Sequence, residues 1–444
     1  MNYIELAGNL TQLGRRMGAD EVEVYIRHSR NLSVRVRQQD VETVKESDAG
    51  GVGFRVITNN GMGFSHSNDF SDKALQEALE RAIAFSRITT PDEHNRLPGD
   101  SLFRDMEGLF DPEIARVSMD RKIDMAMEVE ALAMKDNRIT NSSGASFSEN
   151  ETNIYIVNAH GLQKSYTASS CGFGVGVVAE KGEQRHTGSE YCYRRFFADL
   201  DPIDKIAGKA AEKAYEMLDP RMVSTQRASV IFDPAVARSI VGGIISAING
   251  NRVLQGASFL QDSMDKQFAS DLLTIIDDGT LKRGLGSKPF DGEGVPVSKR
   301  TLVDRGVLRG FLYNTITANR AGVESTGNAS RGSFTRLPGI GTHNLYVEAG
   351  DQNPDDIIGN TRRGLLLKGV TGYGINPVNG NFSGGARGFW IEDGKISHPV
   401  QELTIAGSAD DILHDIDMMG NDLELDRTLN APTFRIREMQ IGGA

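Results

Sequence analysis

An internal duplication in the first half of the chain constrains its fold more than any other sequence feature. Residues 33–84 begin with the alternating strand SVRVR, and residues 153–215 begin with the alternating strand NIYIV. Each segment continues with a second strand, a turn of small residues, a Gly- and Val-rich strand, a hairpin turn, a further strand and a closing helix. The repeat therefore predicts two copies of one α+β unit, and units of this kind pack together to bury a shared core.

Helical patterns flank the strands of both copies. Residues 2–18 precede the first set of strands, and residues 118–135 precede the second. The fold class predicted for this half is therefore α+β, with the order α-β-β-β-β-α occurring twice. The predicted boundaries are a duplicated domain over residues 1–220, copies at about 1–88 and 114–218, and a connecting loop over residues 89–113.

The second half of the chain has a different pattern. Short strands alternate with hairpin turns, for example at Asp304-Arg305-Gly306 and Glu392-Asp393-Gly394. Many short strands with Gly turns are typical of β-rich folds. We therefore predict a second domain over residues 221–444 that is a sandwich or is barrel-like.

A well-marked helix stands near the start of this second half, in the stretch DPAVARSIVGGIISAING. Asp233 is a suitable N-cap, and Pro234 suits the first helical position. Asn249-Gly250 predicts a left-handed stop at the other end. Between these signals lies a broad apolar stripe, and the side chains with a nucleophilic group are the serines Ser239 and Ser246.

Charge and composition exclude several classes of function. The 444 residues carry a net charge of -11 and no run of Lys or Arg, which argues against direct nucleic-acid binding. Two cysteines, Cys171 and Cys192, are too few for a secreted disulfide scaffold and predict buried free thiols. The N-terminus lacks a signal-peptide pattern, and no apolar run approaches the ~20 residues that span a bilayer. These features predict a cytoplasmic protein without a membrane segment.

Familiar catalytic and metal-binding motifs are absent from the sequence. None of the eight histidines is followed by glutamate, which excludes the HExxH pattern, and His343, His398 and His414 are scattered through the second half. The sequence also lacks a phosphate-binding glycine loop. The acidic stretches 277–280 and 291–294 are explained by turn formation rather than by a calcium loop.

The order of segments after Asp233 resembles the TldD/PmbA family, in particular its PmbA (TldE) branch. The resemblance rests on the block from TIIDDGTLKRGLGSK to RGFLYN, on STGNASRGSFTRLP, on the strand Asn344-Leu345-Tyr346 and on MMGNDLELD. The duplicated first half with its GVGFRV strand also matches. The resemblance covers nearly the whole chain and implies zinc-dependent peptide cleavage within a closed dimer.

The resemblance also identifies a departure from the catalytic branch, whose members carry His-Glu-x-x-x-His on this helix and a cysteine near the C-terminus. Here Ser239 stands at the position of the first histidine, Ile240 at that of the glutamate and Ile244 at that of the second histidine. The C-terminal segment has no cysteine. Serine is a poor zinc ligand and isoleucine cannot bind zinc, so we predict no catalytic residue and no metal bound by this chain.

The leading hypothesis is a metallopeptidase-family subunit that is inactive alone. It would pair with a zinc-bearing TldD-type subunit, complete the chamber and help to bind small or unfolded peptides. One alternative is a homodimeric peptide-binding or scaffolding protein without enzymatic activity. A third hypothesis is an enzyme that uses other residues around Asp277, Asp278 or Asn328. The older family name, modulator of DNA gyrase, would then reflect an indirect link.

Peptide-binding residues are predicted in one polar loop. Thr326, Gly327, Asn328 and Arg331 lie where the family's cleft is expected. The competing interpretation is a structural turn that orders the β-rich domain. An extended peptide could also add to an exposed strand edge in such a cleft.

Overall fold

The first half of the chain forms two units with the same order of elements. The computed structural model describes residues 2–103, 105–372 and 374–443. The first unit consists of α1 (Tyr3–Arg16), β1 (Glu21–Arg37), β2 (Asp40–Thr58), β3 (Gly61–Ser67) and α2 (Asp72–Ile88). The second unit consists of α3 (Glu113–Arg116), α4 (Met119–Ala133), β4 (Ile139–Asn158), β5 (Gln163–Lys181), β6 (Gln184–Arg194), a 3-10 turn (Phe197–Asp199) and α5 (Ile203–Tyr215). The predicted duplication is confirmed.

The predicted number of strands in each unit is wrong, because each described unit has three long strands and not four. The predicted second strand and the Gly-rich strand of the first unit are one continuous β2, and those of the second unit are one continuous β5. The small residues that predicted a turn remain paired within the sheet, with Ala49 opposite Ser29 and Gly51 opposite Arg27. Glycine is needed at residue 51 because the ring of Phe334 lies directly against it, where a Cβ would stand.

The two units share one antiparallel sheet with the strand order β3-β2-β1-β4-β5-β6. Helices α1 and α2 pack on the strands of the first unit, and α4 and α5 pack on those of the second. Tyr25 and Ile156 contact Phe290 of the second half in a separate cluster. Cys171 and Cys192 are buried free thiols, as predicted.

The segment between the two units runs along the open half of β5. The Nζ of Lys164 donates to the carbonyl of Ser101 at 2.7 Å, and the amide of Ser169 donates to the carbonyl of Leu109 at 2.9 Å. Only residues 171–181 of β5 pair with β6. The connecting segment therefore covers a strand edge that β6 does not reach.

The second half contains short helices and strands around a closed barrel. Its elements are β7 (Gln226–Phe232), α6 (Pro234–Ala247), α7 (Gly250–Leu254), β8 (Ile275–Asp278), β9 (Lys299–Asp304), β10 (Val307–Leu308), α8 (Thr315–Ala321), β11 (Ala329–Ser330), β12 (Gly339–Ile340), β13 (Leu345–Val347), α9 (Pro354–Gly359), β14 (Arg363–Thr371), β15 (Asn381–Glu392), β16 (Lys395–Ser408), α10 (Ala409–His414), β17 (Ile416–Met419), β18 (Leu429–Asn430) and β19 (Phe434–Gly442). Among the described residues, no helix is long and apolar enough to cross a bilayer.

The largest sheet of this half closes on itself. Its strand order is β16-β15-β14-β7-β19-β17, and β16 also pairs with β19. A second sheet has the order β10-β9-β8-β13-β18. The prediction of a β-rich, barrel-like second half is confirmed, whereas the division of the chain at residue 220 stays a prediction.

The prediction that a left-handed residue at Asn249-Gly250 ends α6 is wrong. The helix ends at Ala247, and Asn249 has a φ of -65°, not a left-handed value. The side chain of Asn249 instead accepts a hydrogen bond from the amide of Asn251 and caps α7. Gly250 is required because its amide donates to Leu312 at 2.8 Å and the ring of Tyr313 occupies the space of a Cβ.

Candidate functional site

Helix α6 begins at a cap that also anchors it to the barrel. The carboxylate of Asp233 accepts a hydrogen bond from the amide of Ala235 at 2.9 Å, and Pro234 occupies the first helical position, as predicted. The other carboxylate oxygen lies 2.9 Å from Nζ of Lys368 on β14. The start of the helix is therefore fixed by both a local cap and an ion pair to the neighbouring strand.

The side chains at the positions that would carry a zinc motif mostly pack in the hydrophobic core. Ile240 is 1% exposed and Ile244 is 0% exposed, and both belong to the main core of the second half. The hydroxyl of Ser239 donates to the carbonyl of Val236 at 2.7 Å. Zinc needs three or four converging N, S or O donors, and this helix face presents one hydroxyl and two hydrocarbon side chains. The residues at this place do not fit a zinc ion.

The three histidines of the second half are not brought together either. His343 is buried beside β8, His398 lies on β16, and His414 ends α10 next to Asp410. Within residues 2–103, 105–372 and 374–443, no group of three or more His, Cys, Asp or Glu side chains is arranged to hold a metal ion.

A cleft of about 330 Å³ opens at the N-terminal end of α6, between the second unit and the barrel. Helix α6 contributes Arg238 together with its first turn, and the segment around Arg427 forms the opposite wall. Seven carboxylates and five cationic side chains line the cleft. The lining residues are Glu190, Lys209, Glu212, Lys213, Glu216, Asp233, Pro234, Ala235, Arg238, Lys368, Asp422, Glu424, Asp426, Arg427, Asn430 and Ala431.

Burial shifts the pKa values of two charged side chains in this cleft. Burial raises the pKa of the half-buried Glu216 carboxyl despite the neighbouring Lys368. Burial, together with the guanidinium of Arg427, lowers the pKa of Arg238. Lys213 forms an ion pair with Glu190, which also lies 3.9 Å from Arg427. Clefts lined by desolvated charges of both signs suit ligands that carry charged or polar groups of their own.

The loop predicted to bind peptide is held tightly by its own chain. The hydroxyl of Thr326 accepts from the amide of Tyr313 at 2.8 Å and donates to its carbonyl at 2.9 Å. Gly327 has a φ of +73° and packs against the carbonyl of Pro296, so glycine is required there.

The two larger side chains of this loop are buried. Asn328 is 2% exposed, and its amide donates to Asp277 at 2.8 Å and to the carbonyl of Gly341 at 3.0 Å. Arg331 is 8% exposed and donates to Glu23 at 2.6 Å. Neither residue lines the cleft at α6. Peptide binding by this loop stays a prediction, and the contacts of Asn328 and Arg331 match those of a structural turn.

A buried ion-pair cluster joins the N-terminal sheet to the second half. Arg55 on β2 lies 2.6 Å from Glu23 on β1 and 2.5 Å from Glu293. Glu23 also receives the hydrogen bond from Arg331, whose guanidinium stacks over the ring of Tyr25 at 4.4 Å. All four charged side chains of the cluster are nearly inaccessible to solvent. Two carboxylates and two guanidiniums therefore neutralise one another across this junction.

The acidic residues of the third hypothesis are hydrogen-bonded within turns of their own chain. Asp277 accepts from the amide of His343 at 2.7 Å as well as from Asn328, and burial raises the pKa of Asp277 against those bonds. Asp278 accepts from the amide and the hydroxyl of Thr280 at 2.8 and 2.7 Å. Both bonds to Asp278 go to its Oδ1. These contacts build the turns after β8, and neither Asp277 nor Asp278 lines the cleft at α6.

Arg238, Arg55 and Glu293 are the residues that the sequence interpretation missed. Arg238 is the only charged residue inside an otherwise apolar helix, and Arg55 is the only charge in the apolar run GVGFRVIT. A lone charge inside an apolar element is a usable signal, since burying it requires a partner. The sequence does not say which partner that is.

Comparison with known proteins matches nearly the whole chain to one family. Models of the PmbA/TldA metallopeptidase family match residues 22–86 as domain 1, residues 112–218 as the central domain and residues 225–443 as the C-terminal domain. The metalloprotease PmbA of Escherichia coli O157:H7 is 32% identical over 430 residues, which is 96% of this chain and 93% of that protein.

Two solved structures share the fold over nearly their whole length. A Thermotoga maritima protein titled as a proposed modulator of a DNA gyrase superposes with a TM-score of 0.89 at 25% identity, covering 99% of this chain and 100% of that one. TldE from Thermococcus kodakarensis superposes with a TM-score of 0.88 at 24% identity, covering 98% of this chain and 99% of that one. At 24% identity the second likeness shows the fold alone.

Proposed function

This chain belongs to the PmbA/TldD metallopeptidase family, and from that premise we propose that it is the non-catalytic subunit of a TldD/TldE-type peptidase complex. In this proposal a TldD-type partner carries the zinc ion and cleaves small or unfolded peptides. The present chain completes the chamber and forms part of the peptide-binding cleft.

One observation carries the proposal. The helix face where a zinc site would stand is filled by Ile240 and Ile244, which are buried in the core, while Ser239 bonds to its own helix. A metal-bound water also needs a general base beside it, and neither isoleucine can accept a proton. The fold of a family peptidase is thus present without the donor set for the reaction.

The chain's own residues retain a binding role in this proposal. The cleft at the start of α6 is lined by Arg238, Arg427, Glu190 and Glu216, so it can contact the charged ends or side chains of a peptide. The loop of Thr326, Gly327, Asn328 and Arg331 supports binding by holding the structure around Asp277 in place. Because water activation is assigned to the partner, these residues bind and orient only.

Peptide cleavage by the separate and combined chains tests the proposal. This chain and a TldD-type chain with His-Glu-x-x-x-His would be purified alone and together, and an unstructured peptide would be followed by mass spectrometry. We expect cleavage by the mixture that stops when a chelator is added. A mixture whose partner has its first motif histidine changed to alanine serves as the control and should be inactive.

Two results would contradict the proposal. Chelator-sensitive cleavage by this chain alone would show that it assembles a metal site of its own. Peptide binding by a stable self-dimer that does not associate with any TldD-type chain would favour the scaffolding alternative.

A further inference from the structure

Half of strand β2 is an open edge. Strand β3 pairs only with residues 52–58 of β2, while β1 pairs along its whole length. Residues 40–49 therefore have a neighbour on one side only among the described residues, and nearly all of them are exposed. An edge of this length presents a row of unpaired amide and carbonyl groups that can pair with another strand.

The second unit shows how the equivalent edge is occupied. Residues 163–170 of β5 extend beyond β6 just as residues 40–49 of β2 extend beyond β3. The connecting segment lies along that part of β5 and bonds to Lys164 and Ser169. The duplication thus contains one edge covered by the connecting segment and one edge without such cover.

Exposed apolar residues also indicate that a further element packs on the open edge. Val34 and Val36 of β1 are fully buried beneath α4, and they lie opposite Val44 and Val41 of β2. Val44 and Val41 are 46% and 43% exposed. The row of apolar side chains on this face of the sheet therefore continues from the buried β1 onto the exposed β2.

The open edge is acidic. Its sequence DVETVKESDA contains four carboxylates and one lysine. Two of these carboxylates form ion pairs with the neighbouring strand β1: Glu42 pairs with Arg35 at 2.9 Å, and Glu46 pairs with Arg30 at 3.5 Å. No strand supplies cations on the outer side of the edge within the described residues. A strand that carries Lys or Arg at alternate positions would complement it.

We propose that residues 40–49 of β2 dock a basic extended strand of the zinc-bearing partner subunit. This inference rests on the proposed function, because it assigns a contact surface to the same complex. The partner strand would extend the six-stranded sheet by one, in the position that the connecting segment takes beside β5.

The position of the edge favours a subunit contact over a peptide substrate. Strand β6, which carries Glu190 of the cleft, is four strands away from β2 in the same sheet. At about 4.8 Å between strands, the edge is roughly 19 Å from that side of the cleft. A second copy of this chain is disfavoured by charge, since an antiparallel pairing centred on Val44 sets Glu42 opposite Glu46.

Charge reversal at the edge tests the inference. The double variant Glu42→Lys/Glu46→Lys would be mixed with the TldD-type chain, and the dissociation constant would be measured by sedimentation or calorimetry. We expect that constant to rise at least about ten-fold, because the repulsion acts directly on the docked strand. The matched control is Glu180→Lys/Glu183→Lys, which changes the same charge on the exposed hairpin of the second unit and should bind within about two-fold of the parent chain.

Amide hydrogen exchange supplies a second, independent measurement. The amides of residues 40–49 that point away from β1 should become protected when the TldD-type chain is added to the parent protein, and these amides should exchange freely in this chain alone. The far-UV spectrum and the melting temperature of the double variant should match those of the parent chain, because the two inner ion pairs are exposed and stabilise little.

The outcomes separate this inference from the proposed function. If the complex forms and cleaves peptide while the edge stays unprotected and the double variant binds normally, only the inference is overturned. Protection of the outward-pointing amides in this chain alone would assign the edge to a second copy, and their protection by an oligolysine peptide without the partner would assign it to substrate. Failure of any TldD-type chain to associate would overturn both proposals.

Discussion

Two buried regions of the molecule use opposite chemistry. At the junction of the N-terminal sheet with the second half, Arg55 lies between Glu23 and Glu293, and all three side chains are nearly inaccessible. In α6, the positions of the family's catalytic motif are occupied by Ile240 and Ile244, which are equally buried and entirely apolar. The charged cluster joins two parts of the chain, while the positions expected to carry the catalytic motif hold no charged side chain.

The difference separates polar groups that hold the fold from polar groups that react. Each charged side chain of the junction has an opposite charge within 2.6 Å, and Glu293 also accepts a hydrogen bond from the amide of Thr315 at 2.8 Å. Such pairs are retained because losing one partner leaves the other buried without compensation. The motif positions of α6 hold no buried charge that needs a partner, so apolar side chains pack there instead. Burial of a charge therefore does not mark the functional site in this chain.

The largest effect that we predict tests the junction. Replacing Arg55 by methionine keeps much of the side-chain volume but leaves Glu293 without its cation, and we expect the free energy of unfolding to fall by about 3–5 kcal/mol. Urea unfolding followed by circular dichroism measures it. The control is Arg30→Met on the same sheet, whose ion pairs are exposed and whose loss should cost about 0–1 kcal/mol. Equal effects of the two substitutions would contradict the contrast between buried and exposed charge.

The apolar region should respond to a loss of volume. We expect Ile244→Ala to lower the free energy of unfolding by about 2–5 kcal/mol, because the side chain is fully buried and the closely packed core cannot collapse around the gap. Ser239→Ala on the same helix should cost under about 1 kcal/mol, since its hydroxyl is half-buried and bonds only to the carbonyl of Val236. Thermal unfolding of both variants measures the difference. If Ile244→Ala proved as mild as Ser239→Ala, α6 would not be the packing element described here.

Local signals predicted much of the secondary structure. Asp233 is the N-cap of α6, as predicted, and Ser71 and Asn353 cap α2 and α9 by the same kind of local hydrogen bond. The hairpin at Asn59-Asn60 forms with both residues at positive φ, as a tight turn requires. Caps and tight turns depend on residues within four positions of each other, so they can be read without the fold.

Contacts between distant residues were not predictable from the sequence. Ala49-Gly50-Gly51 has the composition of a turn, yet these residues remain in a strand because β1 pairs with them throughout. The contact of Arg55 with Glu293 joins residues 238 positions apart, and nothing in either local sequence names the other. At the candidate site, resemblance to a family located Ser239, Ile240 and Ile244. The cleft beside them depends on α5 and the segment after Gly420, which only the fold brings to α6.

The smallest effect that we predict concerns the pH dependence of the buried network of His343, Asp277 and Asn328. Burial and the nearby charge of Lys288 lower the pKa of His343 to about 3, and its Nε2 has no hydrogen-bond partner among the described residues. An unfolded histidine has a pKa of about 6.5. The folded chain therefore binds fewer protons between pH 6.5 and pH 3, and stability that is complete above pH 6.5 is lost as the pH falls, by up to about 1.4 kcal/mol for each pH unit.

Comparing variants isolates this contribution. His343→Gln should lose that part of the acid sensitivity, so urea midpoints measured from pH 7 to pH 4 should fall less steeply than those of the parent chain. Burial beside Glu293 raises the pKa of Asp291 to about 7 and adds a slope of opposite sign over part of this range, but it is common to both proteins and cancels in the difference. His414→Gln, at an exposed histidine, should leave the slope unchanged. Identical slopes for His343→Gln and the parent chain would show that the network tolerates a charged imidazole and resembles a solvated surface more than a sealed polar core.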